Sequence, residues 1–180
     1  MKGVYRTRVG YAGGSLENPT YHNLGDHSET IQVDFDPAVI SYEEILEIYW
    51  NSHNPTAQPW SRQYMSLIFF HDAGQEKAAL QSKAAMEQKL GREIKTELVA
   101  YSKFYLAEDY HQKYYLQAEQ QLAMEVRGYY KNFSGFINST AAARLNGLLG
   151  GYGDPQLLAA EIDSYGLSEQ AKELLQRYLR

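Results

Sequence analysis

Two stretches of alternating apolar and polar residues, at positions 4–11 and 29–35, most constrain what this chain can fold into. A period of two is typical of half-buried β-strands. Between them lies a glycine-rich stretch with an Asn18-Pro19 turn signal, which predicts a loop. Residues 9–29 also concentrate tyrosines, histidines and carboxylates. Loops of this composition often carry function, so this segment is the first candidate for a site.

The next part of the chain alternates helix and strand patterns. Ser41 is suited to cap a helix, and Glu44 three residues later completes a capping box, which predicts a helix to about residue 52. Further patterns predict strands at 64–70 and 94–101, and helices at 73–90, ending at Gly91, and at 107–126. The order β-β-α-β-α-β-α favours an α+β fold, with helices packed against a mixed sheet.

The last third of the chain changes character. Small-residue and amphipathic patterns predict helices at 139–149, 155–162 and 168–179, with Asp154 and Ser168 at N-cap positions. We therefore expect two parts: an α+β domain at residues 1–127 and a small helical C-terminal extension at residues 128–180.

Composition narrows the possible partners. Lys and Arg number 17 against 22 Asp and Glu, giving a net charge of −5, and no basic run stands out. Nucleic acid and anionic membranes are therefore not expected partners, whereas a small molecule or a protein is. The sequence has neither a membrane-spanning apolar run nor a secretory signal pattern, so we expect a cytoplasmic protein. Because cysteine is absent, this chain can form no disulfide and has no thiol nucleophile.

Four polar residues close together in the 9–29 segment allow two interpretations, a metal site or turn residues. His22, Asp26, His27 and Glu29 could form a metal site, and a metal-dependent hydrolase is a remote alternative. Their spacing matches no established metal motif, however, so the two histidines are better interpreted as turn residues. Glu29 differs because it begins a strand beside aromatic residues. Partial desolvation there would favour the protonated carboxyl, which could donate a proton near neutral pH.

A series of motifs gives the chain a family resemblance. The sequence resembles peptide methionine sulfoxide reductase of the A type over residues 3–117, and the helical tail is similar to an extension found in some relatives. The motifs that carry the resemblance are VGYAGG (9–14), NPTY (18–21), GDHSE (25–29), DPAVISYEE (36–44), WNSHNPT (50–56), RQYMS (62–66) and FYLAEDYHQ (104–112).

The resemblance implies an activity and three site residues. Members of the family reduce the S epimer of methionine sulfoxide, free or in proteins, with a cysteine nucleophile and electrons from thioredoxin or another thiol. Glu29 matches the glutamate that protonates the sulfoxide oxygen, and Tyr21 and Tyr64 match the tyrosines that hold it. No cofactor and no metal are implied.

The chain also departs from the family pattern. The Gly-Cys-Phe-Trp motif that carries the nucleophile is missing, and with it the family's first strand and first helix. Pro59 stands where the commonest members have an aspartate, and the loop between Tyr21 and Glu29 is shorter, which indicates a divergent subgroup. We expect an N-terminally truncated reductase, inactive by itself. The alternative is a cysteine-free binding module for methionine sulfoxide or for a protein partner.

Overall fold

The computed structural model describes residues 1–178 and has the α+β architecture expected, with a helical C-terminal part. Within that range there are five strands and eight α-helices, and the last six helices follow the last strand. The first part contains β1 (Val4–Ala12), β2 (Ser28–Phe35), α1 (Tyr42–Asn51), β3 (Leu67–Phe70), α2 (Ala73–Leu90), β4 (Glu97–Ala100) and β5 (Phe104–Leu106). The second part contains α3 (Tyr114–Ala118), α4 (Gln120–Gly128), α5 (Phe133–Ile137), α6 (Thr140–Leu149), α7 (Pro155–Glu161) and α8 (Glu169–Gln176).

The strands form two sheets. One has the order β2-β1-β5, with β1 antiparallel to β5 so that Tyr11 lies opposite Tyr105. The other is the parallel pair β3-β4, in which Ile68 lies opposite Leu98. No helix within residues 1–178 is long and apolar enough to cross a membrane.

The chain divides into two compact units. The helical unit contains Met1–Val9, Ile31–Asp36 and the chain from Ala107 onward, and the sheet unit contains Gly10–Thr30 and Pro37–Leu106. Each unit is therefore built from segments that are separate in the sequence. The domain boundary expected between residues 127 and 128 stays a prediction.

The helical unit has its own apolar core. Its helices α6 and α8 begin at serine caps: the Ser139 hydroxyl accepts from the Ala142 amide, and the Ser168 hydroxyl accepts from the Ala171 amide. Asp154 caps α7 in the same way, as its sequence position predicted. The largest side chains buried in this core are Leu116, Leu122, Val126, Phe136, Ile137, Leu145, Leu148, Leu158, Leu167 and Leu175. Of the helix expected at 168–179, the structure shows Glu169–Gln176, and residue 179 lies outside the described range.

The single helix expected at 107–126 is wrong. A 3-10 turn, Asp109–His111, precedes α3, and Lys113 between them takes a left-handed backbone conformation with φ 49°. The cause is the fully buried side chain of Gln112. Its Nε2 donates to the Val9 and Ala107 carbonyls, at 2.8 and 3.0 Å, and its Oε1 accepts from the Val9 amide at 3.1 Å. Hydrogen bonds to a distant strand thus override the local helical pattern.

Most of the sheet unit follows the sequence pattern. Ser41 and Glu44 form the expected capping box of α1, and α2 ends at Gly91, whose φ of 62° suits glycine. The strand expected from residue 64 is wrong at its start, because Arg62–Tyr64 forms a 3-10 turn and β3 begins only at Leu67. Tyr64 therefore lies on a turn.

The loop after β1 is held by two consecutive side chains. Asp26 accepts hydrogen bonds from the Ser15 amide at 2.8 Å and from the Leu16 amide at 3.3 Å. His27 is buried, and its ring nitrogens make the ordinary hydrogen bonds to the loop backbone that its interpretation as a turn residue implied. Its Nδ1 accepts from the Gly14 amide at 3.2 Å, which leaves the hydrogen on Nε2, 2.8 Å from the Leu16 carbonyl. A Cβ at Gly14 would lie 2.5 Å from an Asp26 oxygen, so this approach requires glycine.

Replacing Gln112 tests the break in the helical pattern. Gln112→Leu keeps a similar volume but removes three hydrogen bonds to the backbone, and of the three groups the Val9 carbonyl keeps another donor, the Ala107 amide at 3.1 Å. We expect the free energy of unfolding in urea to fall by about 2–3 kcal/mol. The exposed Gln121→Leu is the matched control and should be near neutral. Equal losses in the two variants would contradict the role assigned to Gln112.

Titration of Asp26 tests the loop. Two hydrogen bonds from Ser15 lower the pKa of the Asp26 carboxyl to about 2. The larger effect comes from the Ser15 amide and the smaller one from its hydroxyl. An unfolded aspartate titrates near pH 4, so the stabilisation from Asp26 is complete above about pH 4. It is lost as the pH falls through about 2. We expect the Ser15 and Leu16 amide NMR signals to titrate with this midpoint, and not in Asp26→Asn. A midpoint near 4 would contradict these hydrogen bonds.

Candidate functional site

A buried serine connects the two segments that form the candidate site. Ser28 is the first residue of β2, and its hydroxyl donates to the Arg62 carbonyl at 2.6 Å. An ion pair with Glu97 fixes the Arg62 side chain, because Arg62 Nη1 lies 2.9 Å from a Glu97 carboxylate oxygen. Since Glu29 follows Ser28 and the rest of the 3-10 turn follows Arg62, this hydrogen bond brings Glu29 close to that turn.

The three predicted site residues come together around Gln63. Gln63 Nε2 donates to Glu29 Oε1 at 2.7 Å and lies 3.2 Å from the Tyr64 hydroxyl oxygen. Tyr64 is also hydrogen-bonded to the side chain of Tyr21. Partial burial raises the pKa of the Tyr64 hydroxyl, and the neighbouring Glu29 and Tyr21 raise it further. The Tyr64 phenol thus remains protonated at neutral pH and can donate a hydrogen bond.

The site is open to solvent. Tyr21 is 37% exposed, Tyr64 is 41% exposed, and Glu29 is also exposed. Glu29, which the sequence placed at the start of a strand beside aromatic residues, is therefore exposed to solvent in the described chain. Two hydroxyls and a carboxyl group that are connected in this way and exposed to solvent can together hydrogen-bond a single oxygen atom of a ligand.

Sequence reasoning missed two residues beside these three. Gln63 stood inside the RQYMS motif, but only its contact with Glu29 gives it a role. Trp60 is 82% exposed, and its ring lies 4.8 Å from that of Tyr64 at an angle of 37°. The signal for Trp60 was present in the sequence as a large apolar residue after Pro59, in a segment without helix or strand pattern.

The four polar residues of the 9–29 segment do not assemble into a metal site. No group of three or more His, Cys, Asp or Glu side chains within residues 1–178 is placed to hold a metal ion. Both His27 nitrogens and the Asp26 carboxylate are already engaged by the 14–16 backbone. The metal-dependent hydrolase therefore has no ligand set in the described chain.

Two protein families together match nearly the whole chain. Residues 1–140 match the family described as "Peptide methionine sulfoxide reductase". Residues 134–179 match the family described as "Selenoprotein methionine sulfoxide reductase A, helical domain". The helical tail is thus a feature shared with other proteins.

Individual relatives agree with this match. A peptide methionine sulfoxide reductase of Drosophila melanogaster is 42% identical over 176 residues, which are 96% of this chain and 70% of that protein. The peptide methionine sulfoxide reductase MsrA of Methanococcoides burtonii is 45% identical over 126 residues, 64% of this chain and 82% of its own length.

Solved structures have the same fold. Reduced Mxr1 from Saccharomyces cerevisiae superposes with a TM-score of 0.58 at 29% identity, covering 64% of this chain and 71% of that one. Methionine sulfoxide reductase A of Corynebacterium diphtheriae gives a TM-score of 0.55 at 31% identity, with coverage of 66% and 65%. With more than half of its residues matched, the chain belongs to the peptide methionine sulfoxide reductase family, whose members act on methionine sulfoxide.

Proposed function

We propose that this chain carries the oxygen-holding part of a peptide-methionine (S)-S-oxide reductase site. Glu29 donates the proton to the sulfoxide oxygen, and the hydroxyls of Tyr21 and Tyr64 hold that oxygen. The observation that carries the proposal is the cluster around Gln63, in which one amide nitrogen reaches both Glu29 and Tyr64. A carboxyl and two phenols that converge on one opening suit a small, strongly accepting oxygen.

The proposed chemistry needs these donors because a sulfoxide sulfur is a poor electrophile. Protonation of its oxygen draws electrons from sulfur and lets a thiolate attack it. Overall, methionine sulfoxide and two thiols give methionine, one disulfide and one water. The sulfoxide is reduced, the thiols are oxidised, and the oxygen leaves as water.

The nucleophile must come from outside the printed sequence, because the sequence contains no cysteine. Serine is far less nucleophilic unless a base activates it. We propose that a preceding Gly-Cys-Phe-Trp segment completes the enzyme and that the chain is inactive by itself. The complete enzyme would receive electrons from a thioredoxin-like reductant and repair oxidised proteins in the cytoplasm under oxidative stress.

A binding module for methionine sulfoxide or for a protein partner is the second candidate. The same absence of cysteine favours it, since a chain that only binds needs no thiol. The coding DNA upstream of Met1 separates the two. An in-frame Gly-Cys-Phe-Trp stretch supports the truncated enzyme, and a stop codon directly upstream supports the binding module.

Turnover tests the inactivity of the chain. With dithiothreitol as reductant, we expect the purified chain to reduce no more methionine sulfoxide than its Glu29→Gln variant, since both lack a thiolate. The measurement is methionine formed, separated by chromatography. Reduction by the unaltered chain above that control would contradict the account.

Binding tests the oxygen-holding role. Titration with dimethyl sulfoxide should shift the amide NMR signals of Glu29 and Gln63. We expect Tyr21→Phe and Tyr64→Phe each to weaken binding about fivefold, because each removes one hydrogen bond. Tyr152→Phe alters an exposed tyrosine of the helical unit and serves as the control. Unchanged affinity in both site variants would contradict the proposal.

A further inference from the structure

One exposed aromatic side chain of the sheet unit is not used by the proposed chemistry. Trp60 is 82% exposed, whereas Trp50, the other tryptophan of the sequence, is 4% exposed and donates to the Ser82 hydroxyl. Indole rings bury a large apolar area and are enriched where proteins bind partners. An exposed indole in contact with another exposed ring of a candidate site points to a ligand that covers both.

Trp60 is continuous with the oxygen-holding residues. Its ring packs on Tyr64, and the Tyr64 hydroxyl is hydrogen-bonded to Tyr21. On the other side, the Tyr21 ring lies 5.4 Å from that of His22 at 74°. Successive contacts thus connect Trp60 to Tyr64, Tyr64 to Tyr21 and Tyr21 to His22, and all four side chains belong to residues that are exposed.

We propose that Trp60 is a specificity-determining residue of the sulfoxide site and binds an aromatic side chain next to the methionine sulfoxide in a peptide substrate. The inference rests on the proposed function. A sulfoxide oxygen bound at the Tyr64 hydroxyl would be separated from Trp60 by about the width of the Tyr64 ring. The side chain of the residue next to methionine sulfoxide in a peptide can span that distance. Free methionine sulfoxide has no such neighbour and leaves the indole uncovered.

The chemistry of Trp60 favours an aromatic neighbour. Paired aromatic rings gain energy beyond the apolar area that they bury, and a flat indole face suits an offset or edge-on ring. The Arg62 guanidinium beside the turn is paired with Glu97, so this cation does not compete for the indole face.

Two blocked tripeptides test this inference. Both carry methionine (S)-sulfoxide in the middle, flanked by phenylalanine in one and by glycine in the other. NMR titration of the unaltered chain gives the affinities, and the two indole N–H signals report on the tryptophans separately. We expect the phenylalanine peptide to bind about tenfold more tightly than the glycine peptide and to shift the Trp60 signal but not that of Trp50.

The variants decide the role of Trp60. In Trp60→Ala the preference for phenylalanine should disappear, while the glycine peptide binds as before. Tyr152→Ala removes an equally exposed ring of the helical unit, at 84% exposure, and should keep the full preference. A preference that survives Trp60→Ala overturns the inference, as does equal binding of the phenylalanine peptide with unoxidised methionine.

Failure of the proposed function gives a different result. If the unaltered chain binds neither sulfoxide tripeptide and the signals of Glu29 and Gln63 do not move, the oxygen-holding site itself is wrong. If the glycine peptide binds at those residues and Trp60 makes no difference, only the inference about Trp60 is wrong.

Discussion

The hydrogen bond from the Ser28 hydroxyl to the Arg62 carbonyl is the interaction on which the site depends. It joins the first residue of a strand to a 3-10 turn more than thirty positions later. The Arg62 carbonyl also accepts from the Met65 amide at 3.2 Å, but the buried Ser28 hydroxyl would lose its acceptor, so the contact is costly to break. Because Glu29 follows Ser28 and Gln63 follows Arg62, this contact brings the Gln63 amide to 2.7 Å from the Glu29 carboxylate.

Residues 26–29 each make a different contact around the candidate site. Asp26 binds the backbone amides of the 14–16 loop, and His27 closes the same loop through both ring nitrogens. Ser28 holds the 3-10 turn, and Glu29 accepts a hydrogen bond from Gln63 with its exposed carboxylate. A segment that looked in sequence like a set of reactive groups is thus mostly scaffold. The reactive chemistry proposed for this chain is confined to its last member and two tyrosines.

Sequence patterns correctly predicted features that depend on contacts between residues close together in the sequence. The capping box of Ser41 and Glu44 and the glycine at residue 91 specify helix ends through contacts a few residues apart, and both were found as predicted. Gln112 and His27 could not be interpreted this way, because their partners, Val9 and Gly14, are brought near only by the fold. The same holds for Trp60, whose contact with Tyr64 depends on a turn that the apolar pattern of the following strand concealed.

The most direct test of the central claim is a crystal structure of this chain with dimethyl sulfoxide bound. The account predicts the ligand oxygen at hydrogen-bond distance, about 3 Å, from the Tyr21 and Tyr64 hydroxyls and the Glu29 carboxyl. The methyl groups should point away from Gln63. A dimethyl sulfoxide molecule bound elsewhere, or one in this opening whose oxygen contacts none of the three residues, would contradict it.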